Sequence, residues 1–290
     1  MKKKIYISLI GGLGNQLFQY SCALNLAYKL NAKLIIDDKT GFLFDNIYKR
    51  KLSLPKKIIK NKISFFDTLF LLFLRFVKKI FYKKKIFQKI FNYLVIDETK
   101  SDKYIENFYE KTKNEDNIYL IGFFQSEKYF FEHRKKIMKK IFQNKFNKTK
   151  QKIKNNSVMV GIRMYEDVPN QDLKKFGGLE NFKFYNDSIK KFKKKYKNLD
   201  LFIFSSLDSK LFLKKKINHE FHNFNIDKIY GLKEYEVLIL CSKFSKFIIS
   251  NSSFYWWAAY LGNFMKPIKI IYSKKFLNKS SIPLKWKSNF

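Results

Sequence analysis

The chain is 290 residues long, with 46% apolar and 19% aromatic side chains, which is enough to bury one large core or two of ordinary size and excludes global disorder. Sixty Lys and Arg against 24 Asp and Glu give a formal net charge of +36. That charge is compatible with nucleic acid, an anionic lipid surface or a nucleotide diphosphate as partner, and the joint over-use of Lys, Asn, Ile and Phe also fits drift toward AT-rich codons. Lys dominates the basic set, whereas readers of bases and phosphates favour the guanidinium fork, and no helix-turn-helix, RRM or zinc-finger pattern occurs, so specific nucleic-acid binding is not expected.

From the start of the chain, Lys4 to Ile10 reads as a buried strand, too short in its apolar part for a signal peptide. A glycine-rich turn follows, then a helix over Asn15 to Leu30 and a short strand over Lys33 to Ile36 closed by Asp37-Asp38. This is a β-α-β opening of the doubly wound kind. Residues 60 to 96 are basic and aromatic, with Phe66, Leu69, Phe70, Phe73, Phe76, Val77, Ile80, Phe81, Phe87, Phe91 and Leu94 at helical spacing, and predict a helical insertion. Lysines 78, 79, 83, 84, 85 and 89 interrupt that pattern, so the segment does not reach the ~20 apolar residues of a membrane span. It reads either as helices packing on the domain or as an interfacial helix on an anionic inner membrane.

Further along, strands are expected at Ile118 to Gly122, Val158 to Arg163, Leu201 to Phe204, Lys246 to Ser250 and Ile268 to Tyr272. Helices are expected at Glu127 to Phe142, Asn181 to Tyr196, Asp208 to Leu213, Lys233 to Cys241 and Ser253 to Leu261. The polar stretch Lys145 to Asn156 marks a boundary, dividing the chain into domains 1–150 and 151–290. Alternating strands and helices predict an α/β fold of two Rossmann-like domains facing across a cleft. Cys22 and Cys241 have no metal or redox spacing, so a disulfide framework is not expected and a cytoplasmic protein is.

Ligands of such sheets bind beyond the carboxyl ends of the strands. The first candidate is the turn Gly11 to Gln16, where Gly12 and Gly14 permit close backbone approach and the helix from Asn15 offers free N–H groups; taken alone it reads more readily as a plain strand-to-helix turn. The second is Gly161 to Asp167, with Arg163 beside Glu166 and Asp167. Arg163 suits a diphosphate, or an ion pair at a strand end. The third is Asn251, Ser252, Ser253 and Phe254, where hydroxyls and N–H groups at a helix start either cap the helix or hold phosphate oxygens. Asp208 ends a further strand and either caps a helix or accepts from a base or ribose. The Trp256-Trp257 pair reads as core. His219 and His222 lie three apart without an acidic or thiol partner nearby, His133 is isolated and no Asp-x-Asp occurs, so no metal site is expected.

These blocks together resemble the α-1,2-fucosyltransferases of glycosyltransferase family 11. GGLGNQLFQYSCALNLA (Gly11 to Ala27) looks like that family's N-terminal signature. VGIRMYED (Val160 to Asp167) stands where it carries His-x-Arg-Arg-Gly-Asp, and LFIFSSLD (Leu201 to Asp208) resembles its Phe-Ser-Asp block. CSKFSKFIISNSSFYWWAAYLG (Cys241 to Gly262) is similar to its Asn-Ser-Ser-Phe-x-Trp-Trp block, and Pro283 to Trp286 fits its Pro-x-x-Trp ending. The resemblance implies a GT-B fold, an N-terminal domain on the acceptor side and a C-terminal domain that binds GDP-fucose. It implies inverting transfer to a glycan hydroxyl without a metal or other cofactor. It also implies Arg163 on the β-phosphate, Ser252, Ser253 and Phe254 along the diphosphate, Asp208 near guanine or ribose, and Asn15 near sugar and acceptor. Glu166 and Asp167 are the candidate bases. The family's motif His is Gly161 here and its second Arg is Met164, so the block also fits another acceptor or linkage. Another GDP-hexose as donor, or a basic nucleic-acid- or membrane-binding protein without catalysis, are the alternative readings.

Overall fold

The computed structural model describes residues 2–45, 48–142, 153–164, 179–205, 210–225, 233–276, 278 and 280–287. It divides into two compact units, Met1–Asn144 with Asn278–Pro283, and Lys145–Leu277 with Leu284–Phe290. Residues 278–283 thus group with the first unit.

The first unit opens with strand β1 (Lys4–Ser8), helix α1 (Leu13–Lys29) and strand β2 (Lys33–Asp37). Helix α2 (Phe65–Phe81) follows, then strands β3 (Phe87–Ile90), β4 (Tyr93–Asp97) and β5 (Asn117–Ile121), and helix α3 (Arg134–Phe142). Its sheet runs β2-β1-β5-β4-β3, parallel except for the β3–β4 hairpin. Residues 60 to 96 are therefore not a helical insertion throughout. The stretch Tyr93-Leu94-Val95-Ile96 is a buried strand paired with β5, because a short apolar run rich in β-branched residues serves a sheet covered on both faces. The helix expected over 127–142 is likewise split into a 3-10 turn at Glu127–Tyr129 and α3.

Helix α1 is buried along almost its whole length, which explains its apolar content on every side. Among the described residues, its two buried glutamines make six hydrogen bonds between them. Gln16 Nε2 donates to the carbonyls of Gly11 (2.8 Å) and Lys51 (2.9 Å), while its Oε1 accepts from the N–H groups of Ser53 and Leu54. Gln19 Nε2 donates to the Gly122 carbonyl at 3.0 Å and its Oε1 accepts from the Ile10 N–H at 3.1 Å. Each such buried bond contributes about 1 kcal/mol net, and leaving a group unsatisfied costs more. These glutamines tie the loops after β1 and β5 to the helix.

Helix α2 is capped by Ser64, whose Oγ accepts from the Asp67 N–H at 3.1 Å. Thr68, Leu71, Leu74 and Lys78 are its buried residues. Arg75 Nε donates to the Tyr119 hydroxyl at 2.7 Å, and its Nη2 donates to Ser8 Oγ. Tyr119 also donates to Asp37 Oδ2 at 3.2 Å, and Thr40 donates to the same oxygen. Lys78 Nζ pairs with Asp97 Oδ2 at 3.3 Å and donates to the Lys85 carbonyl at 2.7 Å.

The second unit contains strand β6 (Ser157–Ile162), helix α4 (Phe182–Lys195), strand β7 (Asp200–Ser205), helix α5 (Lys210–Lys216) and strand β8 (His222–Asn225). Helix α6 (Glu234–Ser242), strand β9 (Lys246–Ile249), helix α7 (Ser253–Met265), strand β10 (Lys269–Tyr272) and the short helix α8 (Leu284–Lys287) complete it. The sheet is parallel throughout and runs β10-β9-β6-β7-β8, the strand order of the first half of a dinucleotide fold extended on its other side. Strand β8 escapes sequence reading because its four residues, His-Asn-Phe-Asn, carry little β propensity. Phe224 packs on Phe202 and Phe204, and the His222 ring lies 4.8 Å from that of Phe202.

Trp256 and Trp257 are fully buried on α7, as expected of core residues, and Trp286 of α8 packs 5.6 Å from Trp256. Cys22 and Cys241 are free and buried.

Candidate functional site

In each unit the strand order reverses at one point, and two loops diverge there. In the first unit this lies between β1 and β5, in the second between β6 and β9. A crevice opens beyond the carboxyl ends of such a strand pair, and ligands of open α/β sheets bind in it. Both points are crossed by hydrogen bonds between the two diverging segments.

At the first point, Gln125 Nε2 donates to Asn15 Oδ1 at 2.8 Å. Asn15 stands in the opening turn of α1, and Gly12 is the residue before that helix, with extended backbone. Gly11 has φ +73, and a Cβ on it would lie 2.5 Å from Asn15 Nδ2. Glycine is therefore needed twice over, for the left-handed backbone and for the Asn15 side chain folded back across it. Gly14 is buried within the helix start.

Beside this pair lies a carboxylate that sequence reading missed. Glu98 follows β4 directly and is 3% exposed. Its Oε2 accepts from the Phe123 N–H at 2.9 Å, and its Oε1 accepts from Asn278 Nδ2 at 3.4 Å. Burial pushes its pKa up to about 7, against the pull of the Phe124, Phe123 and Asn278 donors. Gly122, with φ +140, packs against it so closely that a Cβ would lie 2.7 Å from the Glu98 Cβ. Glu98 thus fixes the path of the loop that carries Gln125. The signal for it was present, an Asp-Glu pair directly after an apolar run, where strand ends of α/β sheets gather polar groups.

At the second point, the Arg163 N–H donates to Ser250 Oγ at 3.0 Å, and the Ser250 N–H donates to the Gly161 carbonyl at 3.2 Å. Arg163 leaves the end of β6 partly buried. Ser252 caps α7 in extended conformation without a side-chain bond of its own to the helix, and Ser253 and Phe254 form its first turn. The N–H groups of a first helical turn have no intrahelical partner and carry the positive end of the helix dipole. Asn251, Ser252 and Phe254 are buried, and Ser253 is partly exposed. Arg163, Ser252, Ser253 and Phe254, widely separated in the chain, are thereby brought to one edge of one sheet, a basic and N–H-rich edge suited to a diphosphate.

Tyr255 sets this arrangement. Its hydroxyl donates to the Phe204 carbonyl at 2.8 Å and contacts that of Ile162 at 3.3 Å, so the ring crosses β6 above Gly161. The volume that a His would need at position 161 is filled by that ring.

Glu166, Asp167 and Asp208 lie outside the described residues. Glu180 Oε1 accepts from Ser273 Oγ at 2.6 Å, and its Oε2 lies 3.4 Å from Lys275 Nζ, which anchors the start of the segment before α4 beyond β10. His219 and His222 are not a ligand pair: His219 lies 3.3 Å from Lys193 Nζ and His222 against Phe202. Among the described residues no three of His, Cys, Asp and Glu converge, and no helix is long and apolar enough to cross a membrane.

Two Rossmann-like units, each with polar groups gathered at its switch point, are the architecture of the GT-B glycosyltransferases. The model of Glycosyl transferase family 11 matches residues 4–286, and the chain belongs to that family. It is 30% identical over 293 residues to an alpha-1,2-colitosyltransferase of Escherichia coli, covering 96% of each chain. Among solved structures it resembles an Arabidopsis thaliana FUT1 mutant in complex with GDP, with a TM-score of 0.51 at 10% identity over 95% of this chain and 72% of that one. It also matches the NodZ alpha-1,6-fucosyltransferase co-crystallized with GDP, with a TM-score of 0.45 at 12% identity over 90% and 93% of the two chains.

Proposed function

We propose that the chain transfers fucose from GDP-fucose to a hydroxyl of a glycan acceptor, α-1,2 to a galactoside of a surface polysaccharide or lipopolysaccharide, with inversion and without a metal. The observation that carries this reading is the bond from Arg163 to Ser250 at the switch point of the second unit, beside the first turn of α7, in a chain of family 11. The acceptor oxygen attacks the anomeric carbon, the bond from that carbon to the β-phosphate oxygen breaks, and its electron pair leaves with GDP. Arg163 and the N–H groups of Ser253 and Phe254 offset the charge that builds on the diphosphate. Glu166 or Asp167 takes the acceptor proton, Asp208 contacts guanine or ribose, and Asn15, on the acceptor-binding unit, orients rather than ionises. The reaction takes place on the cytoplasmic side of the inner membrane.

One observation favours a second donor: the curated relative at 30% identity is a colitosyltransferase. Colitose lacks a hydroxyl that fucose has, and a site built to bond that hydroxyl discriminates strongly against its absence. A panel of GDP-fucose, GDP-colitose and GDP-mannose, read by GDP release with a galactoside acceptor, tests both readings. Turnover of GDP-fucose above the others, unchanged by EDTA, is expected. Preference for GDP-colitose moves the assignment to the second donor, and no turnover of any of the three removes the first.

A further inference from the structure

Helix α2 carries an apolar stripe on its outward side as well as its inward one, whereas a helix on the surface of a unit in water turns its apolar stripe to the core and its charges outward. Its inward side packs Leu71 and Leu74 into the core and also holds the cations Arg75 and Lys78, bonded to Tyr119, Ser8, Asp97 and the Lys85 carbonyl. Its outward side carries Phe66, Leu69, Phe73, Phe76 and Ile80, at alternating three- and four-residue spacing, joined by Phe65. All six are exposed, Phe66 to 82% and Phe76 to 61%. The surface continues onto the turn of the β3–β4 hairpin. There Phe91, 67% exposed, stacks on Phe73 at 6.1 Å between ring centroids. Its φ is +53, a left-handed conformation unusual for so bulky a residue.

Within residues 60–92 the charge is almost all basic. Lys79, Lys83 and Lys84 are exposed and have no acidic partner among the described residues. Asp67 is the one acid between residues 60 and 92, and it is tied into the helix cap, accepting from Ser64 Oγ at 2.8 Å.

We propose that α2 and the β3–β4 turn are a docking surface for an anionic phospholipid bilayer, with the helix lying in the plane of the interface. Its phenyl rings enter the boundary between headgroups and acyl chains, and Lys79, Lys83 and Lys84 meet the headgroup phosphates. Charge selects this occupant. A second copy of the chain would bring lysine rim against lysine rim, between molecules of net charge +36. The proposal goes beyond the transferase reading and uses none of its residues.

The test is flotation of the full chain with vesicles of phosphatidylethanolamine and phosphatidylglycerol, and separately of phosphatidylcholine, at physiological ionic strength. Binding to the anionic vesicles is expected. The pair Phe66→Ser and Phe76→Ser, both fully outward and checked for an unchanged melting curve, is expected to weaken it by at least about tenfold. Lys83→Ser with Lys84→Ser is expected to weaken it on anionic vesicles, and Leu211→Ser, an exposed apolar residue on α5, to leave it unchanged. In Phe73→Trp, added anionic vesicles are expected to shift the emission to the blue. Absence of wild-type binding, full binding by the Phe66/Phe76 pair, or an unshifted emission from the Phe73→Trp variant overturns the proposal. So does a dimer in solution that the same pair disperses while vesicles go unbound.

Discussion

The ring of Tyr255 lies so close over Gly161 that a Cβ there would stand 2.5 Å from the Tyr255 Cγ. This contact ties the strand that ends in Arg163 to the helix that begins at Ser253. Gly161→Ala must displace the ring and strain its bond to the Phe204 carbonyl. A loss of about 1–3 kcal/mol in stability is expected from such overpacking. In a Tyr255→Ala background the same substitution is expected to be nearly neutral. Urea unfolding of the four proteins of this cycle reads the coupling, and additive effects would show that the ring and the glycine do not oppose each other.

Arg163→Ala is expected to remove on the order of 2–4 kcal/mol of transition-state stabilisation, by analogy with lost oxyanion donors. Arg163→Lys keeps the charge but not the fork and is expected to recover only part of it. GDP release under saturating donor is the measurement, and near-wild-type turnover in the alanine variant would take Arg163 out of the mechanism.

Asn15→Ala removes the acceptor of the Gln125 bond, both of whose residues belong to the first unit. Its expected effect is a fall in kcat/KM for the acceptor with the donor KM unchanged. A raised donor KM instead would assign the first switch point to donor binding.

Glu98 gives stability a pH dependence with a definite sign. Its carboxyl has a folded pKa of about 7 against an ordinary value of 4.5, so between these values the folded chain holds a proton that the unfolded chain has released. Stability is therefore greatest below about pH 4.5 as far as this group is concerned, falls as the pH rises toward 7, and levels off above it. The span is on the order of 3 kcal/mol. Glu98→Gln, which keeps the shape and stays neutral, is expected to flatten this part of the profile. Thermal melts of both proteins across that range decide it, and parallel profiles would show that Glu98 does not titrate there.

The parts of the fold legible in the sequence are those where periodicity and punctuation agree. The glycine turn before α1, the strand ending at Arg163 and the serines before α7 are readable to within a few residues, since each joins an apolar run to a polar loop. The aromatic stretch is harder. Phe87, Phe91 and Leu94 fit a helical repeat as well as they fit a hairpin, and only the pairing of β4 with β5 separates the two. The partners of Asn15 and Arg163 are not legible either. Gln125 and Ser250 lie 110 and 87 positions away, and their meeting follows from the strand order, which no local pattern encodes. Gly161, at the family's motif His, is visible as a departure, but its reason lies in a tyrosine on another element.

The return of residues 278–283 to the first unit has a consequence for synthesis on the ribosome. Asn278 bonds to Glu98, and Ser280 bonds to Tyr104 and Ser126, whereas Trp286 covers Trp256 in the second unit. Glu98 and Asn278 are 180 positions apart, an interval of about 10–40 s at common elongation rates. Through that interval the Glu98 carboxyl has no side-chain amide partner to bond. Neither unit acquires its full set of contacts until the same short stretch has emerged, so the two finish folding together although one was begun much earlier.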